Sequence, residues 1–121
     1  MRKESLNTVQ IFYPKYDKEE LIQKLRKKIK ELSEKIPLSF VVLFGSYAQG
    51  NYTVASDIDL LVVYRGKARE EAFATVKKIM DIRSLEPHVY SYDEYKRLKP
   101  VISRMIADGI VLFPINKAKM P

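Results

Sequence analysis

The sequence predicts an α/β domain of the α+β kind, a small, mixed, twisted sheet with helices packed mainly on one side. Three observations carry this. Leu21, Leu25, Ile29, Leu32 and Ile36 recur at helical spacing, the stripe of an amphipathic helix laid on a core. Leu38 to Phe44 is apolar at almost every position, the pattern of a strand covered on both faces. Asp17 with Glu20, and Ser91 with Glu94, are capping-box pairs that open helices. At 121 residues the chain is long enough for one core and not for two.

Composition narrows the chemistry. There is no cysteine, which excludes disulfides, thiolate metal sites and cysteine nucleophiles. Met1-Arg2-Lys3 is followed by polar residues, so no secretory leader is expected. The apolar runs are strand-sized, short of the ~20 residues of a membrane span. A cytoplasmic protein with no membrane segment is the expectation. The formal charge of +7 suits anionic partners such as nucleotides or nucleic acid, and equally a solvated Lys-rich surface. Many Lys and Glu, with few Asn and Gln, also suit a thermophile.

Along the chain, three parts are expected: an arm over 1–16, one domain over 17–114 and a loose tail over 115–121. Within the arm, Thr8 to Tyr13 reads as a short edge strand or a packed segment. Asp17 opens the first helix, and Pro37 is expected to stop it. Lys24, Arg26, Lys27, Lys28 and Lys30 give that helix a basic face, read either as solvated surface or as a nucleic-acid contact. Leu38 to Phe44 is the first strand. Ser46 to Gln49 makes one helical turn that gathers the amides of Gly45, Ser46 and Tyr47. Gly50-Asn51 is a turn, and Ser56 caps the start of the next strand. That strand, Asp57 to Tyr64, shows Ile58, Leu60 and Val62 on one face and Asp57, Asp59, Leu61 and Val63 on the other.

Arg65-Gly66-Lys67 turns into a helix over Ala68 to Met80, with Ala72, Phe73, Val76, Ile79 and Met80 inward. Leu85 to Tyr90 is a third strand, interrupted by Pro87, with Glu86 and His88 on one face. Ser91 caps a further helix. Pro100 is placed to begin another helical segment, its apolar side made by Val101, Ile102, Met105 and Ile106, and Gly109 closes it. Ile110 to Phe113 is the last strand, ended by Pro114.

Function concentrates between Val41 and Tyr64. Asp57 and Asp59 stand two apart on a strand, so their carboxylates share a face. Side by side they repel unless a cation lies between them, and Mg²⁺ is the hard ion that oxygen ligands select. The Gly45-Ser46 turn offers backbone N–H groups and a hydroxyl, the donors phosphates need, and Gly45 lets a phosphate approach without meeting a Cβ. A phosphate cradle beside a carboxylate pair points to phosphoryl or nucleotidyl transfer, in which two ions ~4 Å apart clamp attacking and leaving oxygens. Plainer roles exist. Ser46 can cap the short helix, and Asp57 can cap a turn. Asp59, facing an apolar sheet surface, has no comparable structural role.

Gly45-Ser46, Ala48, Gly50 and then Ser56-Asp57-Ile58-Asp59-Leu60-Leu61-Val62 resemble the signature of the DNA polymerase beta superfamily of nucleotidyltransferases. The closest resemblance is to its minimal nucleotidyltransferase branch, over Asp17 to Phe113. The resemblance implies the nucleotidyltransferase fold and a nucleotide triphosphate held by Gly45 and Ser46. It further implies two Mg²⁺ ions bound by Asp57 and Asp59. A third carboxylate on a neighbouring strand helps hold one ion and activates the attacking hydroxyl. Glu86 is the residue placed for that role, although the family more often has Asp there and Pro87 follows; Glu86 also reads as surface charge. Asp81 and Asp93 fall at a helix end and a helix start. His88 reads as a pocket wall or an exposed side chain, since imidazole suits Mg²⁺ poorly. Tyr47 and Tyr52 read as base-stacking or as packing.

The implied activity is Mg²⁺-dependent transfer of a nucleoside monophosphate, AMP from ATP foremost, onto a hydroxyl with release of pyrophosphate. The chain has no room for the acceptor domain of larger superfamily members, so a partner is implied. Minimal nucleotidyltransferases are often encoded beside a helical HEPN-domain protein as the antitoxin of a toxin–antitoxin pair, adenylylating a tyrosine of that partner. The alternative is a partner-binding antitoxin with a weak or vestigial site. RNA or an aminoglycoside-like molecule is a further acceptor class, though no RNA-binding motif is present.

Overall fold

In the computed structural model, which describes residues 16–114, Asp17 caps helix α1 (Lys18–Ser33). Its carboxylate accepts from the amides of Glu19 at 2.8 Å and Glu20 at 3.2 Å, and Glu20 accepts in return from the Asp17 amide. Such a cap stabilises by about 1 kcal/mol. Leu21, Leu25, Ile29 and Leu32 are buried as the stripe requires. The helix ends at Ser33, short of Pro37. The amides of Lys35 and Ile36 both bond back to the Leu32 carbonyl, so a tight terminal turn, not the proline, stops it, and Ile36 still reaches the core. The expected arm and tail, including Thr8 to Tyr13, lie outside the described residues apart from Tyr16.

Strands β1 (Leu38–Phe44), β2 (Ile58–Tyr64), β3 (Leu85–Ser91) and β4 (Ile110–Phe113) form one mixed sheet in the order β3-β2-β1-β4. β1 is antiparallel to both β2 and β4, and β2 is parallel to β3. Helix α3 (Ala72–Met80) makes the crossover that a parallel pair needs. Both faces of the central strands are covered. Val41, Leu43, Ile58, Leu60 and Val62 pack with α1, α3 and the short α2 (Ser46–Gln49). Phe40, Val42, Phe44, Leu61 and Val63 pack with Tyr95 and Ile102 of α4 (Tyr92–Met105). Three helices against one face and a single helix against the other is the predicted arrangement.

Five further local expectations are corrected. Helix α3 begins at Ala72, with Glu71 as its N-cap, instead of at Ala68. Its buried face is Ala72, Val76 and Met80, while Phe73 is half exposed: a 3.6-residue period places the residue after Ala72 about 100° away from the sheet. β2 begins at Ile58, so Asp57 precedes the strand. β3 runs unbroken through Pro87, because it is the edge of the sheet, where a missing N–H leaves no ladder gap. Finally, Pro100 does not start a new segment: α4 is one helix from Tyr92 to Met105. Its Ser91–Glu94 capping box is formed, at 2.8 and 3.1 Å. Pro100 faces solvent, where water can take the carbonyl it leaves unpaired. Tyr95 and Ile102, two turns apart, hold the helix on either side. Val101 consequently points outward.

Candidate active site

The antiparallel register of β1 and β2 sets Phe44 opposite Asp59. The next residue, Gly45, has φ +79°, and a Cβ on it would overlap Asp59 Oδ2. Glycine is therefore required twice, by the backbone conformation and by the carboxylate against it. Gly45 is also the N-cap of α2, which makes Ser46 the first residue inside the helix and not its cap. The amides at its start have no partner within so short a helix.

The α2 turn is anchored from behind. Tyr47 and Ala48 are buried. Tyr47 stacks on Tyr52, with ring centres 4.2 Å apart and planes 8° from parallel. Tyr52 Oη accepts from the Lys18 amide at 3.1 Å, and Lys18 Nζ donates to the Ala48 carbonyl at 3.1 Å. Of the two roles open to these tyrosines, the structure gives packing. Burial pushes the Tyr47 hydroxyl up from its ordinary pKa, as expected of a ring spent on the core. Ser56 Oγ accepts from the Thr53 amide at 2.8 Å and so closes the turn ahead of β2.

On the other side of Asp59, the parallel register pairs Asp59 with Glu86 and Leu61 with His88. Alternation then puts Asp59, Glu86 and His88 on the α4 face of the sheet. His88 Nε2 lies 3.5 Å from Asp59 Oδ1. This nitrogen is buried and lacks a hydrogen-bond partner. The imidazole leans on the Phe44 ring, 5.1 Å between centres. Asp57 and Glu86 are exposed and Asp59 is half-buried.

Burial foremost raises the Asp59 pKa; His88 lowers it, while the charges of Asp57 and Glu86 raise it further. All three predicted carboxylates are thus near enough for Asp59 to feel the others. Among the described residues, no three acidic, histidine or cysteine groups converge closely enough to hold an ion unaided. The donor chemistry nevertheless fits a divalent cation: Mg²⁺ is commonly held by one or two carboxylates and completed by substrate phosphates and water. His88 is the residue whose part the sequence understated; its signal was the alternation with Glu86, which became a contact once β3 was set parallel to β2. Asp81 ends α3 in a left-handed turn, and Asp93 pairs with Lys96 on α4 at 3.9 Å, as their helix positions suggested.

Residues 22–113 match the sequence model of the nucleotidyltransferase domain family. A curated relative, a candidate protein adenylyltransferase of Methanocaldococcus jannaschii, is 47% identical over 45 residues. That match spans 37% of this chain and 46% of the relative, less than half its length. A candidate nucleotidyltransferase from Sulfolobus solfataricus superposes with a TM-score of 0.57 at 25% identity, covering 78% of this chain and 81% of that one. A toxin–antitoxin structure with AMP-PNP has the same fold, with a TM-score of 0.57 at 23% identity and coverage of 78% and 77%. A mutant MntA–HpeT toxin–antitoxin structure has it too, at a TM-score of 0.54 and 18% identity, covering 78% of this chain and 76% of that one. Among the described residues, no helix is long and apolar enough to cross a membrane.

Proposed function

The chain belongs to the nucleotidyltransferase domain family, and on that premise we propose that it moves a nucleoside monophosphate, AMP from ATP, onto a hydroxyl acceptor. The observation that carries this is the interlock of Gly45 with Asp59, flanked by Glu86 and His88 on the adjoining strand. It sets a glycine, with no Cβ in the way, against a half-buried carboxylate. Gly45 and Ser46 contact the triphosphate. Asp57, Asp59 and Glu86 hold two Mg²⁺ ions, whose charge neutralises the phosphates and the carboxylates together. Glu86 takes the acceptor proton. The acceptor oxygen bonds to the α-phosphorus, the bond from that phosphorus to the bridging oxygen breaks, and pyrophosphate leaves.

A tyrosine hydroxyl on a HEPN-type partner is the proposed acceptor. The curated relative's description as a candidate protein adenylyltransferase supports a protein substrate, and the toxin–antitoxin neighbours support a partner chain. The test is transfer from ATP labelled at the α- or the γ-phosphate, in the presence of a HEPN-domain protein encoded beside this chain's gene. Adenylylation puts the α label, and not the γ label, on the acceptor. Transfer of the γ label would instead mean a kinase, and label on neither would remove the proposal.

One observation favours a second reading, partner binding with a weak site. Leu98 and Val101 are exposed one turn apart on α4, among exposed Lys96, Arg97, Lys99 and Arg104. Such an apolar stripe with a cationic rim suits an acidic-rimmed partner surface. The double change Asp57→Asn/Asp59→Asn separates the two: neutralisation of the partner in cells that survives it intact is binding, not catalysis.

A further inference from the structure

The turn that carries Gly45 and Ser46 is held at both ends, and the hold at its far end comes from the start of α1. We infer that Lys18 is a positioning residue for nucleotide binding. Its ammonium fixes the C-terminal end of α2, so that Gly45 and Ser46 at the other end stay in place for the phosphates. This rests on the reading of Gly45 and Ser46 as phosphate contacts and adds a residue that acts through them.

Three observations carry it. First, Lys18 stands where its own helix has no use for it. It is the first residue of α1, followed by Glu19 and Glu20, at the helix end that favours negative charge. Second, its side chain serves another element. Lys18 is half-buried, and Nζ donates to the Ala48 carbonyl at 3.1 Å. Ala48 lies in the single turn of α2, whose last carbonyls have no partner inside the helix. The backbone bonds that close α2 run from the amides of Gln49, Gly50 and Asn51 to the carbonyls of Gly45 and Ser46. The Ala48 carbonyl takes its bond from Lys18. Third, the neighbours of Lys18 hold the same turn. The Lys18 amide donates to Tyr52 Oη at 3.1 Å, the Tyr47 hydroxyl bonds to the Tyr16 backbone, and the rings of Tyr47 and Tyr52 are stacked. At the opposite end, Gly45 lies against Asp59. α2 thus has a carboxylate beside its N-terminus and an ammonium at its C-terminus, each the sign that its end favours.

The experiment reads the turn and the nucleotide separately, in the full-length chain, for Lys18→Met and for Tyr52→Phe. Amide hydrogen exchange by NMR, without nucleotide, reports the turn through Gln49 and Gly50. Calorimetry with AMP-PNP and Mg²⁺ reports binding. One such hydrogen bond corresponds to about a tenfold change in an equilibrium. For Lys18→Met, exchange at Gln49 and Gly50 should be about tenfold faster while Leu43 and Val62 stay as slow as in the wild type. AMP-PNP affinity should fall severalfold, because fewer molecules have the turn in place. Tyr52→Phe, which removes one oxygen, should move both readings the same way and keeps the test open where Lys18→Met folds poorly. Leu60→Ala is the control: a residue that only supports the core leaves affinity unchanged. Weaker binding with unchanged exchange would overturn the inference, since Lys18 would then touch the nucleotide itself. Faster exchange with unchanged affinity, or no change in either, would overturn it as well and leave the nucleotide site standing. A wild type that binds no AMP-PNP with Mg²⁺ would instead overturn the reading of Gly45 and Ser46, and this inference with it.

Discussion

The two faces of the sheet are built from the same strands and do different work. On the face under α1 and α3, β2 contributes Ile58, Leu60, Val62 and Tyr64, all buried among apolar neighbours. On the face under α4, the alternate residues are Asp59, Leu61 and Val63. That face is apolar along most of its length and turns charged at one end, where Asp59, Glu86 and His88 gather. α4 covers the apolar part, its buried anchors being Tyr95 and Ile102. The face with three helices buries only apolar strand side chains and makes the larger core. The other gives up some stability at one end, where a half-buried carboxylate has like charges beside it. This is the usual relation between a folded scaffold and the site it carries.

Four substitutions test this contrast, in order of expected effect on stability by chemical denaturation. Leu60→Ala, on the fully apolar face, should destabilise by about 2–5 kcal/mol while leaving nucleotide affinity of the folded fraction intact. Gly45→Ala should destabilise by about 1–3 kcal/mol, through strain at positive φ and displacement of the Asp59 carboxylate. It should also abolish nucleotide binding, which Leu60→Ala does not. Asp59→Asn should go the other way, stabilising the metal-free protein by less than about 1 kcal/mol at neutral pH.

The sign follows from linkage. The folded-state pKa of Asp59 is raised above 3.8, so the folded state holds the proton more tightly than the unfolded one. Stability is therefore greatest below 3.8 as far as this group is concerned, and is lost as pH rises through the folded pKa. Asn removes that loss, and the pH-dependence in this window should flatten in the variant. If Asp59→Asn destabilises instead, Asp59 is a structural group and the contrast fails. Smallest of all, Phe73→Ser on the exposed side of α3 should change stability by less than about 0.5 kcal/mol. A larger loss would mean that Phe73 is covered by something.

Much of this contrast was legible in the sequence. The apolar run of β1, interrupted only by Ser39, pointed to a strand buried on both sides, and the alternation in β2 assigned Leu60 and Asp59 to opposite faces. Both capping boxes located helix starts to the residue. What could not be read was long-range or cooperative. Pro100 looked like a helix start because local preference is strongest there, but Tyr95 and Ile102 anchor one helix across it. Phe73 looked buried because composition does not say where a helix begins, and a start moved from Ala68 to Ala72 leaves Ala72 with Val76 and Met80 inside. His88 looked like a pocket wall because its distance from Asp59 depends on strand register, which the sequence does not print. The Gly45–Asp59 contact was hidden for the same reason, although both residues were singled out separately.

The most direct test of the central claim is calorimetric titration of AMP-PNP into the wild-type protein and into Asp57→Asn/Asp59→Asn, each with divalent cation and with EDTA. The account predicts binding by the wild type that requires the cation and is lost in the double variant, with both proteins equally folded. Binding that persists in EDTA, or that the double variant retains, would contradict it, because the carboxylates gathered at the end of the sheet would then not be what holds the nucleotide.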